Sequence, residues 1–295
     1  MGLILGLAIG AGGILTLADG SQIEAIPATT AVTPTTSLES PAAPPTTAAT
    51  VEASESESVD GLSPYADEVS PLASFEVRGD EIVADGHSED EMARAQTIWG
   101  RFVALIPAEH RGMVSGFELM GEDYEGAHVY PDDRDPTRWV LGVSEGLGAD
   151  LDVTFVHEFG HLLTLNAREV PPNPNETRCR TFFTGEGCAS PHSIVARFVD
   201  RFWTPELLDE SDRIYGIEDE EEYWNAMDDF LARHDGEFVT EYAATNPGED
   251  LAETFAEFIL EERPDGELVK DRKVRFLWDD PALVELRAQI RDGSQ

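Results

Sequence analysis

The sequence predicts an α+β fold, in which short strands come first along the chain and helices follow. Three runs between residues 112 and 144 read GMVSGFELM, GAHVY and RWVLGVS. Each run contains β-branched or aromatic residues, and turn-forming segments separate them. From about residue 151 onward, apolar residues recur mostly at helical spacing instead. Strands followed by helices, rather than an alternation of the two, are typical of this fold class.

The composition divides the chain into three parts. Residues 1–18 carry no charged side chain, which predicts a signal peptide or membrane anchor over residues 1–25. Residues 26–73 are rich in Pro, Thr, Ala and Ser, and they predict a disordered linker because they contain few large apolar side chains. Residues 74–295 have the apolar content of a folded domain. We therefore expect an extracytoplasmic protein, either secreted or tethered through residues 1–18.

The chain is strongly acidic, with 59 acidic residues against 20 basic ones and a formal net charge of -39. This charge argues against nucleic acid, or an anionic membrane surface, as a partner. We expect most of the acidic side chains to form a solvated surface. A saline habitat or a basic substrate would also explain the acidic composition, and both alternatives stay open. The sequence does not indicate the oligomeric state.

The folded part is predicted to begin with a hairpin and a helix. SFEVRGDEIVAD, residues 74–85, alternates between apolar and polar residues around the turn RGDE. Ser88 and Glu91 then form a capping box in front of the helical pattern MARAQTIWGRFVALI. Residues 138–144, RWVLGVS, are β-prone and flanked by turns, so we expect an edge strand that binds an extended peptide. A central strand is the alternative.

The segment DVTFVHEFGHLLTL, residues 152–165, carries the pattern H-E-x-x-H. His157 and His161 lie one helical turn apart on the same face, so both can direct a ring nitrogen at one ion. They supply two of the three protein ligands that a catalytic zinc ion needs. Glu158 follows the first ligand and can accept a proton from an activated water. The pattern therefore predicts a hydrolytic zinc centre.

The candidates for the third ligand lie on a second helix. An extended motif would require glycine at position 164 and histidine at 167, and the chain has Thr164 and Ala167. NPGEDLAETFAEFIL supplies glutamates at helical spacing, of which Glu249 and Glu253 share a face. If Glu249 binds zinc, Glu253 is placed to accept the N–H of a ligating histidine. Glu253 and Asp250 are the alternative third ligands.

HEFGH followed by YAATNPGEDLAETFAEF resembles the zincin metallopeptidases of the gluzincin group, particularly the lethal-factor-like and related zinc-binding metallopeptidase families. The resemblance covers two patches in the C-terminal half of the chain. It implies a zincin-like domain with a small sheet and one Zn²⁺ per chain. The residues that it implies are the ligands His157, His161 and Glu249, the general base Glu158, and Tyr242 as hydrogen-bond donor to the tetrahedral oxyanion. His192 and His234 are the reserve candidates for that donor.

Together these patterns predict an exported zinc metallopeptidase that acts on a protein or peptide. The alternative is a catalytically inactive zinc-binding module that recognises a protein or a cell-wall component. The presence of Glu158 favours the enzyme, because a purely structural zinc site needs no base and prefers four protein ligands.

The two cysteines, Cys179 and Cys188, bracket the segment RTFFTGEG. In an exported protein they are expected to form a disulfide that stabilises the fold by about 2.5 to 3 kcal/mol. EGCAS is also similar to the cysteine-ligand segment of peptide deformylases, which makes Cys188 an alternative zinc ligand. In deformylases that segment precedes the zinc helix and the enzyme is intracellular, and both points count against this alternative.

Overall fold

The fold is α+β, as predicted, with a mixed sheet followed along the chain by helices. The computed structural model describes residues 70–83, 86–124 and 126–293, together with the backbone of Leu5–Gly6. Most of the predicted leader and most of the predicted linker lie outside these residues. Among the residues described, no helix has both the length and the hydropathy needed to cross a membrane.

The sheet has six strands in the order β1-β5-β6-β4-β2-β3 over the described residues. The strands are β1 (Leu5–Gly6), β2 (Ala73–Arg78), β3 (Glu81–Val83), β4 (Val114–Met120), β5 (Ala127–Asp132) and β6 (Asp135–Ser144). The helices are α1 (Glu89–Leu105), α2 (Ala108–Arg111), α3 (Leu151–Leu165), α4 (Ile194–Phe202), α5 (Pro205–Tyr215), α6 (Glu220–Arg233), α7 (Pro247–Leu260), α8 (Val269–Trp278) and α9 (Pro281–Gly293). Strands β4 and β6 pair in parallel, and every other neighbouring pair is antiparallel.

The predicted hairpin and first helix are both present. Strands β2 and β3 pair in an antiparallel arrangement across a turn in which Gly79 has a φ of 66°. The capping box at the start of α1 is also formed. The Glu91 backbone N–H donates to the Ser88 hydroxyl at 3.2 Å, and the Ser88 N–H donates to the Glu91 carboxylate at 2.8 Å. Local sequence therefore determines this part of the fold.

Strand β6 is central, so the prediction of an edge position for residues 138–144 is wrong. Strand β5 pairs with one side of β6 and strand β4 with the other. Residues Trp139 to Ser144 are buried without alternation, which is typical of a strand covered on both faces. The backbone groups of β6 are used within the sheet and are not free to bind an extended peptide. The sequence was compatible with either position, because periodicity does not report which neighbours a strand has.

The inner face of the sheet packs against α1 and α3 through aromatic side chains. The Trp99 ring on α1 lies 5.6 Å from the Phe117 ring on β4. Phe102 on α1 and Phe155 on α3 meet with their ring centroids 5.3 Å apart. Helix α3 also contacts α4 and α7, so it lies in the core between the sheet and the C-terminal helices. This position explains why most of its residues are buried.

The opposite face of the sheet carries a group of polar side chains around a histidine. His128 on β5 lies opposite Gly142 on β6. Tyr124 Oη is 2.9 Å from His128 Nδ1, and Tyr130 donates a hydrogen bond to Glu118 at 3.0 Å. A β-carbon at position 142 would lie 2.2 Å from the Nε2 atom of His128. The glycine therefore provides the space that the imidazole occupies.

We predict that Gly142→Ala lowers the free energy of unfolding by about 1–3 kcal/mol, because the added methyl group overlaps the His128 ring. In a His128→Ala background the same substitution should cost almost nothing, since the overlapping atoms are gone. Denaturant unfolding of the wild type, both single variants and the double variant measures this difference. An equal cost in both backgrounds would contradict the explanation.

Candidate metal centre

Helices α3 and α7 approach each other closely at Gly160, within the HEFGH segment. A β-carbon at this position would lie 3.2 Å from the Ala252 Cα and 3.3 Å from the Phe255 ring on α7. The absence of a side chain on α3, opposite a small one on α7, permits this packing. The close approach brings the histidine-bearing face of α3 against the first turn of α7.

The start of α7 places Glu249 in its first turn. Asn246 is the N-cap, and its side chain accepts hydrogen bonds from the backbone N–H groups of Gly248 at 2.9 Å and of Glu249 at 3.0 Å. Pro247 occupies the first helical position, where no backbone N–H is needed. The sequence Asn-Pro-Gly-Glu therefore fixes where the helix begins and orients Glu249.

His157, His161 and Glu249 form a buried group that could hold a metal ion. The Glu249 Oε2 atom lies 3.1 Å from His157 Nε2 and 3.3 Å from His161 Nε2. The two Nε2 atoms are 3.1 Å apart. The structure thus brings together all three ligands that the resemblance implied, although His161 and Glu249 are 88 residues apart in sequence.

His157 and the buried carboxylates beside it stabilise each other's charged forms. Burial acts to lower the pKa of His157, but the carboxylates of Glu249 and Glu253 raise it to about 10. Burial acts to raise the pKa of Glu249, but His161 and His157 lower it to about 2. A buried carboxylate in this setting favours a cation, whether a proton on histidine or a metal ion.

Glu253 holds His157 from the side away from Glu249. Its Oε1 atom is 2.6 Å from His157 Nδ1, and its Oε2 atom accepts a hydrogen bond from Thr240 at 2.7 Å. In the neutral imidazole that would bind a metal ion, Nδ1 donates to Glu253, and Nε2 is free of a proton and directed at the other two ligand atoms. Glu253 therefore has the position expected from its spacing to Glu249, and Thr240 is an additional partner that the sequence did not indicate.

Glu158 and Tyr242 flank the group. The Glu158 side chain is buried, burial raises its pKa to about 8, and its Oε2 atom has no hydrogen-bond partner among the described residues. The Tyr242 ring lies 5.9 Å from the His157 ring, and the Glu249 carboxylate is close enough to raise the pKa of its hydroxyl. Burial and Glu249 raise the pKa of Tyr242 far above its usual range, so the phenol is neutral at pH 7.

Asp250, an alternative third ligand, points away from the group. Its Oδ2 atom lies 2.6 Å from Lys273 Nζ and accepts a hydrogen bond from Trp203 Nε1 at 2.8 Å. The Lys273 ammonium group also lies 4.0 Å from the centre of the Phe238 ring. These contacts anchor the opposite side of α7. No pattern in the sequence indicated this buried pair, because its members lie on different helices at no regular spacing.

Cys179 and Cys188 form the predicted disulfide. Both sulfur atoms are used in this bond, so neither is available as a thiolate ligand. The reserve histidines lie apart from the ligand group that the described residues form. His234 is held by Glu237 at 3.1 Å, and His192 is exposed.

Comparison of the chain with protein-family models, curated proteins and solved structures found no match. The resemblance to gluzincins therefore stays a prediction from two short sequence segments. The proposed function depends on the geometry of the site.

We predict that Gly160→Val destabilises the protein by about 1–3 kcal/mol and lowers its zinc content, because the added methyl groups push α7 and Glu249 away from α3. Gly100→Val on α1 is the matched control, since a β-carbon there meets no atom within 4 Å. Denaturant unfolding and atomic absorption measure the two effects. Similar behaviour of the two variants would show that close packing at Gly160 is not required.

Proposed function

We propose that this chain is an exported, zinc-dependent metallopeptidase with a zincin-like domain, and that it hydrolyses peptide bonds. One observation carries the proposal. Three candidate ligand atoms from two helices converge, and the carboxylate next to the first of them is buried with one oxygen that no other described residue pairs. This arrangement combines a metal-binding group with an adjacent base, which is the combination that hydrolysis requires.

The donor set and its spacing fit zinc. Two imidazoles and one carboxylate are a ligand set of catalytic zinc sites, whereas calcium and magnesium prefer oxygen ligands alone. A tetrahedral zinc ion with bonds of about 2.0–2.1 Å keeps its ligand atoms about 3.3–3.4 Å apart. The three separations here are 3.1, 3.1 and 3.3 Å. With three protein ligands, one tetrahedral position is left for water or substrate.

The residues around the centre have complementary roles in the proposed reaction. A bound zinc ion would supply Lewis acidity, which allows a water molecule to lose its proton near neutral pH. Glu158 would accept that proton and deliver it to the leaving amine. Tyr242 is a neutral donor 5.9 Å from the His157 ring, and it would hydrogen-bond the negative oxygen that develops on the substrate carbonyl.

The proposed export is supported by two features. A disulfide persists in an oxidising compartment, and the uncharged residues 1–18 have the composition of a targeting segment. Secretion and retention at the membrane through these residues are both compatible with the proposal.

Glu158→Gln is expected to abolish peptide hydrolysis while the protein still binds zinc, because the base is lost and all three ligands remain. Digestion of a peptide library, together with zinc analysis, measures both properties. A fully active variant would remove Glu158 from the mechanism. A wild-type protein that binds zinc but cleaves no peptide would favour the zinc-binding module over the enzyme.

Glu249→Ala is expected to lose zinc and activity together, since one of three ligands is removed. Glu257→Ala is the matched control, because Glu257 lies on the same helix, is exposed and is not part of the ligand group. Atomic absorption after dialysis measures bound zinc in both variants. An unchanged zinc content in Glu249→Ala would place the third ligand elsewhere.

A further inference from the structure

Helices α7 and α8 share a buried ion pair that the proposed reaction does not use. Lys273 Nζ on α8 lies 2.6 Å from Asp250 Oδ2 on α7, and both side chains are fully buried. The same carboxylate oxygen accepts a hydrogen bond from Trp203 Nε1 at 2.8 Å. The Lys273 ammonium group lies 4.0 Å from the centre of the Phe238 ring. Residues outside α7 therefore hold the Asp250 side chain in place.

The chemistry of this pair indicates a role other than stability. Two charges that are removed from water lose most of their hydration, and their mutual attraction often fails to compensate for that loss. Apolar side chains of similar volume would stabilise the same position at least as well. A charged pair adds direction instead, because a carboxylate that meets both an ammonium group and an indole N–H has few orientations open to it. The pair therefore restricts how α7 can turn about its axis.

The rotation of α7 also decides where Glu249 lies, because Asp250 is bonded directly to Glu249. Successive residues are about 100° apart around a helix. When Asp250 meets Lys273, the Glu249 carboxylate is directed at the two histidines of α3. A side chain about 6 Å from the helix axis moves by about 1 Å when the helix turns by about 10°. A binding site tolerates displacements of only about 0.5 Å, so a small rotation would separate Glu249 from the histidines.

We propose that Lys273 and Asp250 are positioning residues of the candidate metal centre, which fix the rotation of α7 and so hold Glu249 at the distance from the histidines that a metal ion needs. Neither residue belongs to the ligand group. Lys273 acts through Asp250, and Asp250 acts through the backbone that it shares with Glu249. The inference rests on the proposed function, because it requires that the three ligands bind a metal ion.

Zinc affinity of the purified protein, measured by competition with a chelator, tests this role. Lys273→Met alone would leave Asp250 buried without a counter-ion and is expected to destabilise the fold strongly. The informative variant combines Asp250→Asn with Lys273→Met, which removes both charges, nearly keeps both volumes and retains an acceptor for Trp203. Its zinc affinity should fall by about 10-fold or more, as when a residue that orients a ligand is lost. Its Tm without zinc should stay close to that of the wild type.

Arg287→Gln is the matched control, because Arg287 holds the opposite end of α7. Its guanidinium group donates to the carbonyl oxygens of Phe258 and Glu261, each at 2.7 Å. Loss of these bonds should lower the Tm without zinc but leave the zinc affinity unchanged, since both carbonyl groups lie more than about two helical turns from Glu249. An equal loss of zinc affinity in this control would show that any loosening of α7 is sufficient, and it would overturn the role of the ion pair.

The visible spectrum of the Co²⁺-loaded protein separates a displaced ligand from a less stable fold, because its bands depend on the coordination geometry. The double variant should show an altered spectrum at saturating Co²⁺, and Arg287→Gln should show that of the wild type. Trp203→Phe, which keeps an aromatic ring but removes the N–H donor to Asp250, should cause a smaller loss of zinc affinity. This milder variant decides the question if the double variant does not fold.

Wild-type zinc affinity and a wild-type Co²⁺ spectrum in the folded double variant, or in Trp203→Phe if only that variant folds, would overturn the inference alone. A wild-type protein that binds no zinc would overturn the proposed function and this inference with it.

Discussion

The packing of α3 on α7 at Gly160 is the constraint on which the candidate centre depends. Two ligands belong to α3 and the third to α7, so the distance between the helices determines whether the three atoms converge. The β-carbon that Gly160 lacks would lie 3.2 Å from the Ala252 Cα. A separation that suits a metal ion tolerates errors of only about half an ångström. The packing of small residues, more than the ligands themselves, sets this precision.

Helix α7 is fixed on both of its sides. Glu249 faces the histidines, whereas Asp250, the next residue, turns about 100° around the helix and meets Lys273. Trp203 and Phe238 contact that ion pair, and both of its members are fully buried. Removal of one partner from such a buried pair costs about 3–5 kcal/mol, because the other charge is left uncompensated. The acidic pair at positions 249 and 250 therefore serves two purposes, one toward the ligands and one toward the core.

The sequence predicted which side chains lie together where local geometry determines their positions. His157 and His161 follow from the helical repeat, and Glu249 with Glu253 follow from the same repeat on α7. The central position of β6 and the close approach of α3 and α7 at Gly160 depend on tertiary contacts instead. Such relations are created by folding, and a single sequence does not display them.

The separation of 88 residues between His161 and Glu249 has a consequence for biosynthesis. A growing chain that has completed the HEFGH helix still lacks its third ligand, and the ligand set closes only when α7 has been synthesised and docked. Contacts between such distant residues form late, since a long loop must close first. Any activity of the centre would therefore be withheld from the nascent chain, and it would begin only once the domain is assembled.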